Sequence, residues 1–259
     1  MNRLQQVLAA AVLTVGSLGL VSAPALADMA AAGSLDARAS GLVQKGVTAY
    51  DGLSGYQAML HRETPKKDSR KMRVDEMFLR YDKPSTIFMK YTAGRQKSLQ
   101  VLWSDGNFGG KIMTRPPGPF FDFIPIQAMD PEDKRITREE ARPLKDAGIG
   151  HMINQFAREW SDGQAAGKAK VESIGPASDD QGLTRLQVRI DAPNRQYARE
   201  ALYFRDADGL PVGVEFLTDQ GTVVESYRYS AIKVNPAKDD AELVTAMDPR
   251  LFSEYYSKI

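Results

Sequence analysis

The chain predicts an α+β fold, a strongly curved antiparallel β-sheet with helices covering its concave face. Three observations carry that reading. The segment from Arg199 to Ala231, REALYFRDADGLPVGVEFLTDQGTVVESYRYSA, holds three alternating apolar runs joined by DADGLP and TDQG. Aspartate–glycine clusters between such runs mark antiparallel hairpins. Five more short runs lie between Tyr56 and Thr114, closely spaced and joined by turn residues, the pattern of a sheet that curls. Two amphipathic stretches, Ser34 to Asp51 and Leu144 to Trp160, can cover the sheet's apolar face, which cannot stand exposed.

Residues 1–27 read as a secretory signal peptide. Arg3 precedes an apolar core from Leu8 to Val21, and Ala25-Leu26-Ala27 is a small-residue cleavage site before Asp28. The rival reading, a membrane anchor, needs a longer apolar run without the Gly and Pro found here. The expected location is therefore periplasmic or extracellular, with no stable membrane insertion. Residues 28–33 read as a flexible lead, and 34–259 as one domain. The signal peptide carries Arg3 and no acid, so the mature chain would have 33 basic and 33 acidic residues. That balance gives no net field for phosphate and argues against a nucleic-acid partner. Cysteine is absent, which removes disulfides, thiol chemistry and a lipidated cysteine.

In the first helix Ala39, Leu42, Val43, Gly46, Val47 and Tyr50 share one face. Strands are expected at Tyr56–Glu63, Arg73–Tyr81, Thr86–Tyr91, Ser98–Ser104 and Gly109–Thr114. Between the first two, PKKDSRK reads as a solvated hairpin tip. Residues 115–162 form an insertion. Its first part, RPPGPFFDFIPIQAM, has too many prolines for a central strand or a helix interior and is too apolar for a solvated linker. It reads as a flap, with Phe120, Phe121, Phe123 and Ile124 as its apolar residues, or else as a plug for the core. The second helix follows, with Ile149, Met152, Ile153, Phe156 and Trp160 on one stripe. Strands then resume at Lys170–Ile174, Leu183–Asp191 and Ala201–Arg205. The meander follows, Ala231–Asn235 ends the sheet, and a short helical turn lies near Pro249–Tyr255.

The residues give little purchase for catalysis. His61 and His151 are the only histidines and belong to no zinc-binding spacing. Neither a G-x-S-x-G elbow nor an S-x-x-K pair occurs. Asp206-Ala207-Asp208-Gly209 lacks the later ligands of a calcium loop, and a turn accounts for it. No metal or other cofactor is expected, and the chain reads as a non-enzyme. What stands out is apolar surface. Tyr56, Leu60, Leu79, Tyr81, Ile87, Met89, Leu99, Val101 and Trp103 fall on one face of the first strands, with Met152 and Phe156 on the second helix facing them. A curved sheet so lined, closed by a helix and a flap, makes a cavity, unless its own side chains fill it. Methionines such as Met59, Met89, Met113, Met129 and Met152 suit variable alkyl groups.

Three segments carry a family resemblance: FLRYDKPSTIFMKY (Phe78–Tyr91), LQVLWSDGNFGGKIM (Leu99–Met113) and RPLKDAGIGHMI (Arg142–Ile153), with the later D-G-L-P-V…F…Y stretch. They resemble DUF1571, an exported bacterial family of unknown function, over most of Gly55 to Tyr229. Leu144-Lys145 stands where that family usually has Ile-Thr. The family looks like a relative of the LolA/LolB lipoprotein carriers, half-barrels whose concave face binds acyl chains. The resemblance thus implies a half-barrel and a lipid or acylated ligand, passed to an envelope protein acceptor, and it transfers no residue roles. The competing readings are a cell-envelope protein–protein interaction module using the flap aromatics, and a hydrolase with a histidine in a polar cavity cluster.

Overall fold

The computed structural model describes residues 23–66, 71–117, 125–133, 143–178, 182–191 and 195–258. Helix α1 spans Ala23–Asp51. Six strands follow: β1 Gly55–Pro65, β2 Met72–Asp82, β3 Thr86–Ala93, β4 Gln100–Ser104, β5 Ile112–Arg115 and β6 Gln127–Met129. Helix α2 spans Ile149–Ala165. Then come β7 Ala169–Pro176, β8 Leu183–Ile190, β9 Arg199–Arg205, β10 Pro211–Leu217 and β11 Val223–Val234, with α3 Ala241–Ala246 and α4 Pro249–Lys258. The strands form one open antiparallel sheet in the order β6-β5-β4-β3-β2-β1-β11-β10-β9-β8-β7. The first and last strands of the two halves, β1 and β11, thus meet in its middle.

The sheet is curved, with α1 and α2 on its concave face. Register shifts interrupt five of the ten strand pairings. Each extra residue bends its strand and adds right-handed twist, which is how a wide sheet curls without closing. Between β1 and β11 the shift falls at Gln57/Met59, opposite Ala231, which takes a left-handed φ of 49°. Residues 231–234 are the end of β11 beyond this bulge.

The main core lies between the concave face and the two helices. Ala39, Val43 and Tyr50 of α1 and Ile149, Ile153, Phe156 and Trp160 of α2 pack on Leu60, Leu79, Leu202 and Phe204. Gly46 lets α1 approach closely, since a Cβ there would stand 2.8 Å from the Phe204 ring. The Trp160 indole N–H donates to Ser40 Oγ at 3.0 Å and ties the helices together.

A second core lies on the other face, whose sequence carries Gln57, His61, Glu76, Arg80, Lys90 and Gln100, broken by Phe78 and Phe88. Phe88 and Leu102 are covered by Leu243, Met247 and Leu251 of the C-terminal segment. These three are spaced by four residues, the helical signal that a short turn near Pro249–Tyr255 understates. The polar residues of this face are gripped by the same segment. Arg80, 1% exposed, donates to the carbonyls of Pro236 and Ala237 and pairs with Asp82. Gln57 donates to Asp240, and Gln100 Oε1 accepts the Asp248 N–H at 2.8 Å.

Further differences from the expected elements have local causes. Residues 28–33, read as a flexible lead, continue α1, in keeping with their alanine content. The strand expected from Gly109 begins at Ile112, because Phe108–Gly110 form a 3-10 turn with positive φ at all three residues. The proline-rich segment contributes the short edge strand β6, placed beyond its last proline. Phe120, Phe121, Phe123 and Ile124 lie outside the described residues, as does most of the basic hairpin tip.

Candidate functional site, a cavity on the concave face

Strand register arranges the concave face in rows. Tyr56, Tyr81, Ile87 and Trp103 are successive cross-strand partners. Ala58, Leu79, Met89, Val101, Thr114 and Gln127 form the next row. Leu60, Met77 and Tyr91 form a third, with Tyr229 beside Leu60 on β11. Tyr227, Arg62 and Asp75 form a fourth. The fourth row, with Arg62 and Asp75, is the charged one.

The N-terminus of α2 is seated on the first row. Two backbone amides at a helix start, which lack partners in the helix itself, are taken by phenol oxygens. The Ile149 N–H donates to Tyr56 Oη at 2.8 Å, and that of Gly148 to the Tyr229 hydroxyl. Burial holds both phenols above their usual pKa, so they stay neutral. Gly148 has φ 105°, and a Cβ would stand 2.8 Å from Tyr56 Oη. At Gly150 a Cβ would fall 2.1 Å from the Tyr50 ring. Tyr56 stacks on Tyr81 with ring centroids 5.6 Å apart.

Beyond this seal the helix and sheet separate and leave a cavity of about 610 Å³. Its sheet side is formed by Leu60, Met77, Met89, Leu99, Val101, Val214 and Phe216, and its helix side by Met152 and Phe156. Pro116, Pro117, Pro143 and Leu144, the described ends of the flap region, also line it. The volume lies within the range of about 300–1,000 Å³ typical of small-molecule sites.

Six residues expected in the lining stand there: Leu60, Met89, Leu99, Val101, Met152 and Phe156. Five do not. Tyr56, Leu79 and Ile87 are fully buried in the core, and Tyr81 and Trp103 pack against it. Alternation in sequence assigns a residue to a face. It does not say which end of that face a helix will cover, and here α2 and Tyr50 fill the first row.

A polar ribbon along α2 went unrecognised in the sequence. His151 Nε2 lies 2.8 Å from Gln155 Oε1, and Gln155 Nε2 donates to Glu159 Oε1 at 2.8 Å. Arg195 Nε donates to Glu159 Oε2 at 2.5 Å, and its other side meets Glu200. All five line the cavity. The spacing of four between His151, Gln155 and Glu159 was the available signal. At the sheet end Arg62 pairs with Asp75 at 2.8 Å, and Arg73 reaches the same carboxylate at 2.7 Å.

His151 meets one condition of the hydrolase reading, but among the described residues no serine or threonine hydroxyl is paired with it. Its Nε2 is engaged by Gln155, and its Nδ1 is 3.7 Å from Asp146. Among the described residues no serine lines the cavity, and the Thr114 hydroxyl is directed to the Gln127 carbonyl. His61 lies apart, paired with Glu63 and Glu76. Among the described residues no three His, Asp or Glu side chains group closely enough to hold a metal ion. Among them, too, no helix is long and apolar enough to cross a membrane.

Known structures of similar shape include an uncharacterized conserved protein from Thermus thermophilus, at 9% identity and a TM-score of 0.43, covering 82% of this chain and 95% of that one. The LolA superfamily protein NE2245 from Nitrosomonas europaea matches at 9% identity and a TM-score of 0.36, covering 81% and 97%. The Pseudomonas aeruginosa MucA/MucB complex matches at 13% identity and a TM-score of 0.39, covering 78% and 59%. A comparison with curated proteins finds no match. The sequence pattern of one family runs through β1 to the end of α3, from residue 53 to residue 248, and the chain belongs to that family, the proteins of unknown function DUF1571.

Proposed function

We propose that this protein is an exported, non-catalytic carrier that shelters the acyl chain of a lipid or lipoprotein on its concave face and yields it to an envelope acceptor. The observation that carries the reading is the cavity of about 610 Å³ between α2 and the sheet, lined by Leu60, Met89, Leu99, Val101, Met152 and Phe156. Burying an alkyl chain gains about 0.8 kcal/mol per methylene, so a long tail can be held without an ion pair. Methionines on both walls adapt to chains of different length and branching. The signal-peptide pattern of residues 1–27 supports a periplasmic location.

Native mass spectrometry of the mature protein from its own envelope fraction, followed by solvent extraction, tests this. The expected result is a bound mass that extraction releases as an acylated molecule. A clean apo mass that persists after challenge with lipid would overturn the proposal and favour an envelope docking module.

A further inference from the structure

We propose that the cavity selects amphiphiles with an uncharged, hydrogen-bond-donating head group, such as a hydroxyl or an amide N–H, and rejects anionic heads. This inference deepens the carrier reading and rests on it. It is carried by how the charges around the cavity are already paired. Glu159 and Glu200 flank Arg195, and Arg62 and Arg73 flank Asp75. Asp146 faces His151. Summed over these groups with neutral histidine, three arginines meet four carboxylates, so among the described residues of this ribbon and sheet end each arginine already faces a carboxylate.

The positions of these groups matter as much as their sum. The Arg195 side chain is 11% exposed and that of Glu200 5%. An anionic head brought against them would be a buried charge without a counter-ion, and that is costly. Arg195 already directs three of its five N–H groups to Glu159, Glu200 and the Tyr197 carbonyl. The Glu159 carboxylate retains capacity. Each oxygen has two lone pairs, and Glu159 accepts one bond from Gln155 on Oε1 and one from Arg195 on Oε2. What the ribbon offers a ligand is therefore acceptor sites on Glu159 and N–H donors on Arg195 within a locally compensated charge pattern. A hydroxyl or an amide, which both donates and accepts, satisfies them without adding charge.

The test is a head-group series on the intact mature protein. Palmitate at a pH where it is ionised, hexadecylamine, and monopalmitoylglycerol share one chain and differ in head charge. The expected order places monopalmitoylglycerol first, with palmitate at least about tenfold weaker, which corresponds to about 1.4 kcal/mol. Tighter binding of palmitate or of hexadecylamine than of the glycerol ester overturns the head-group inference and leaves the carrier reading intact, as does equal binding of all three. Binding of none overturns both. In a folded Glu159→Gln variant Arg195 loses part of its compensation, and palmitate should gain on the glycerol ester several-fold. An unchanged ratio would count against the ribbon as the selecting element.

Discussion

Leu99 and Leu79 are both on the concave side, yet a charge should affect them differently. Leu79 is fully buried in the core, while Leu99 is half-buried and lines the cavity. Leu99→Asp is expected to leave the fold intact by circular dichroism and to abolish uptake of an acyl probe by native mass spectrometry. Leu79→Asp is expected to unfold the protein, because an unpaired carboxylate in that core has no solvent to turn to. Loss of uptake in both with loss of fold in neither would contradict this assignment of the walls. Trp103 belongs with Leu79: it packs against the core outside the cavity, so Trp103→Asp should lower stability before it touches binding. The sequence distinguished face from face at these positions through alternation. It could not distinguish the sealed row from the open one, because that depends on where Gly148 and Gly150 let α2 settle. Gly150→Ala probes the seat itself. Its Cβ would lie 2.1 Å from the Tyr50 ring, and overpacking of this kind costs about 1–3 kcal/mol. The urea midpoint should fall with an unchanged slope.

One carboxylate ties the two C-terminal helices to the sheet. Asp248 stands between α3 and α4, accepts the Arg250 N–H at 2.9 Å, and meets Arg115 at 2.7 Å. The hydrogen bonds from Arg250, aided by the Arg115 charge and opposed by partial burial, lower its pKa to about 2. An unfolded aspartate titrates near 3.9. The folded value lies below the unfolded one, so the contribution is present above about pH 4 and is lost as pH falls through about 2. Acid should therefore release α3 and α4 from Phe88 and Leu102, seen as exposure of apolar surface to a dye in that window. Asp248→Asn should remove the pH dependence, and an unchanged acid profile would refute the role. Leu251→Ala tests the packing directly. The side chain is fully buried against Phe88 and Leu102, and its truncation should cost about 2–5 kcal/mol. These helices were only partly legible. Leu243, Met247 and Leu251 carry the helical spacing, but Gln57, Arg80 and Gln100 made the face beneath them look solvated. The bulges were not legible at all: one extra residue leaves the alternation on either side intact and only shifts its phase.

At the scale of the whole molecule, the sheet is supported unevenly. Strands β1 and β2 lie at its centre, with the main core on one side and the C-terminal segment on the other. Toward β7 the outer face has a smaller cluster around Tyr203 and Leu217 and a ladder of charged pairs, among them Arg228 with Glu215 and Arg199 with Glu172. Toward β6 the edge is a strand of three residues. Local opening free energies follow burial of apolar contacts and of backbone hydrogen bonds. Amides of β1 and β2 should thus exchange only on global unfolding, and those of β5 and β6 well before it. The cavity sharpens that prediction, because Thr114, Gln127 and Met129 of the weak edge line it, whereas no residue of β7 or β8 does so among the described residues. A chain entering the cavity would fasten the weak edge to the rest of the sheet. Native-state hydrogen exchange with and without monopalmitoylglycerol should therefore show slowing in β4 to β6 and no change in β7 and β8. Slowing spread evenly over the whole sheet would mean that the ligand stabilises the molecule without passing this edge, and slowing confined to β7 and β8 would place it elsewhere.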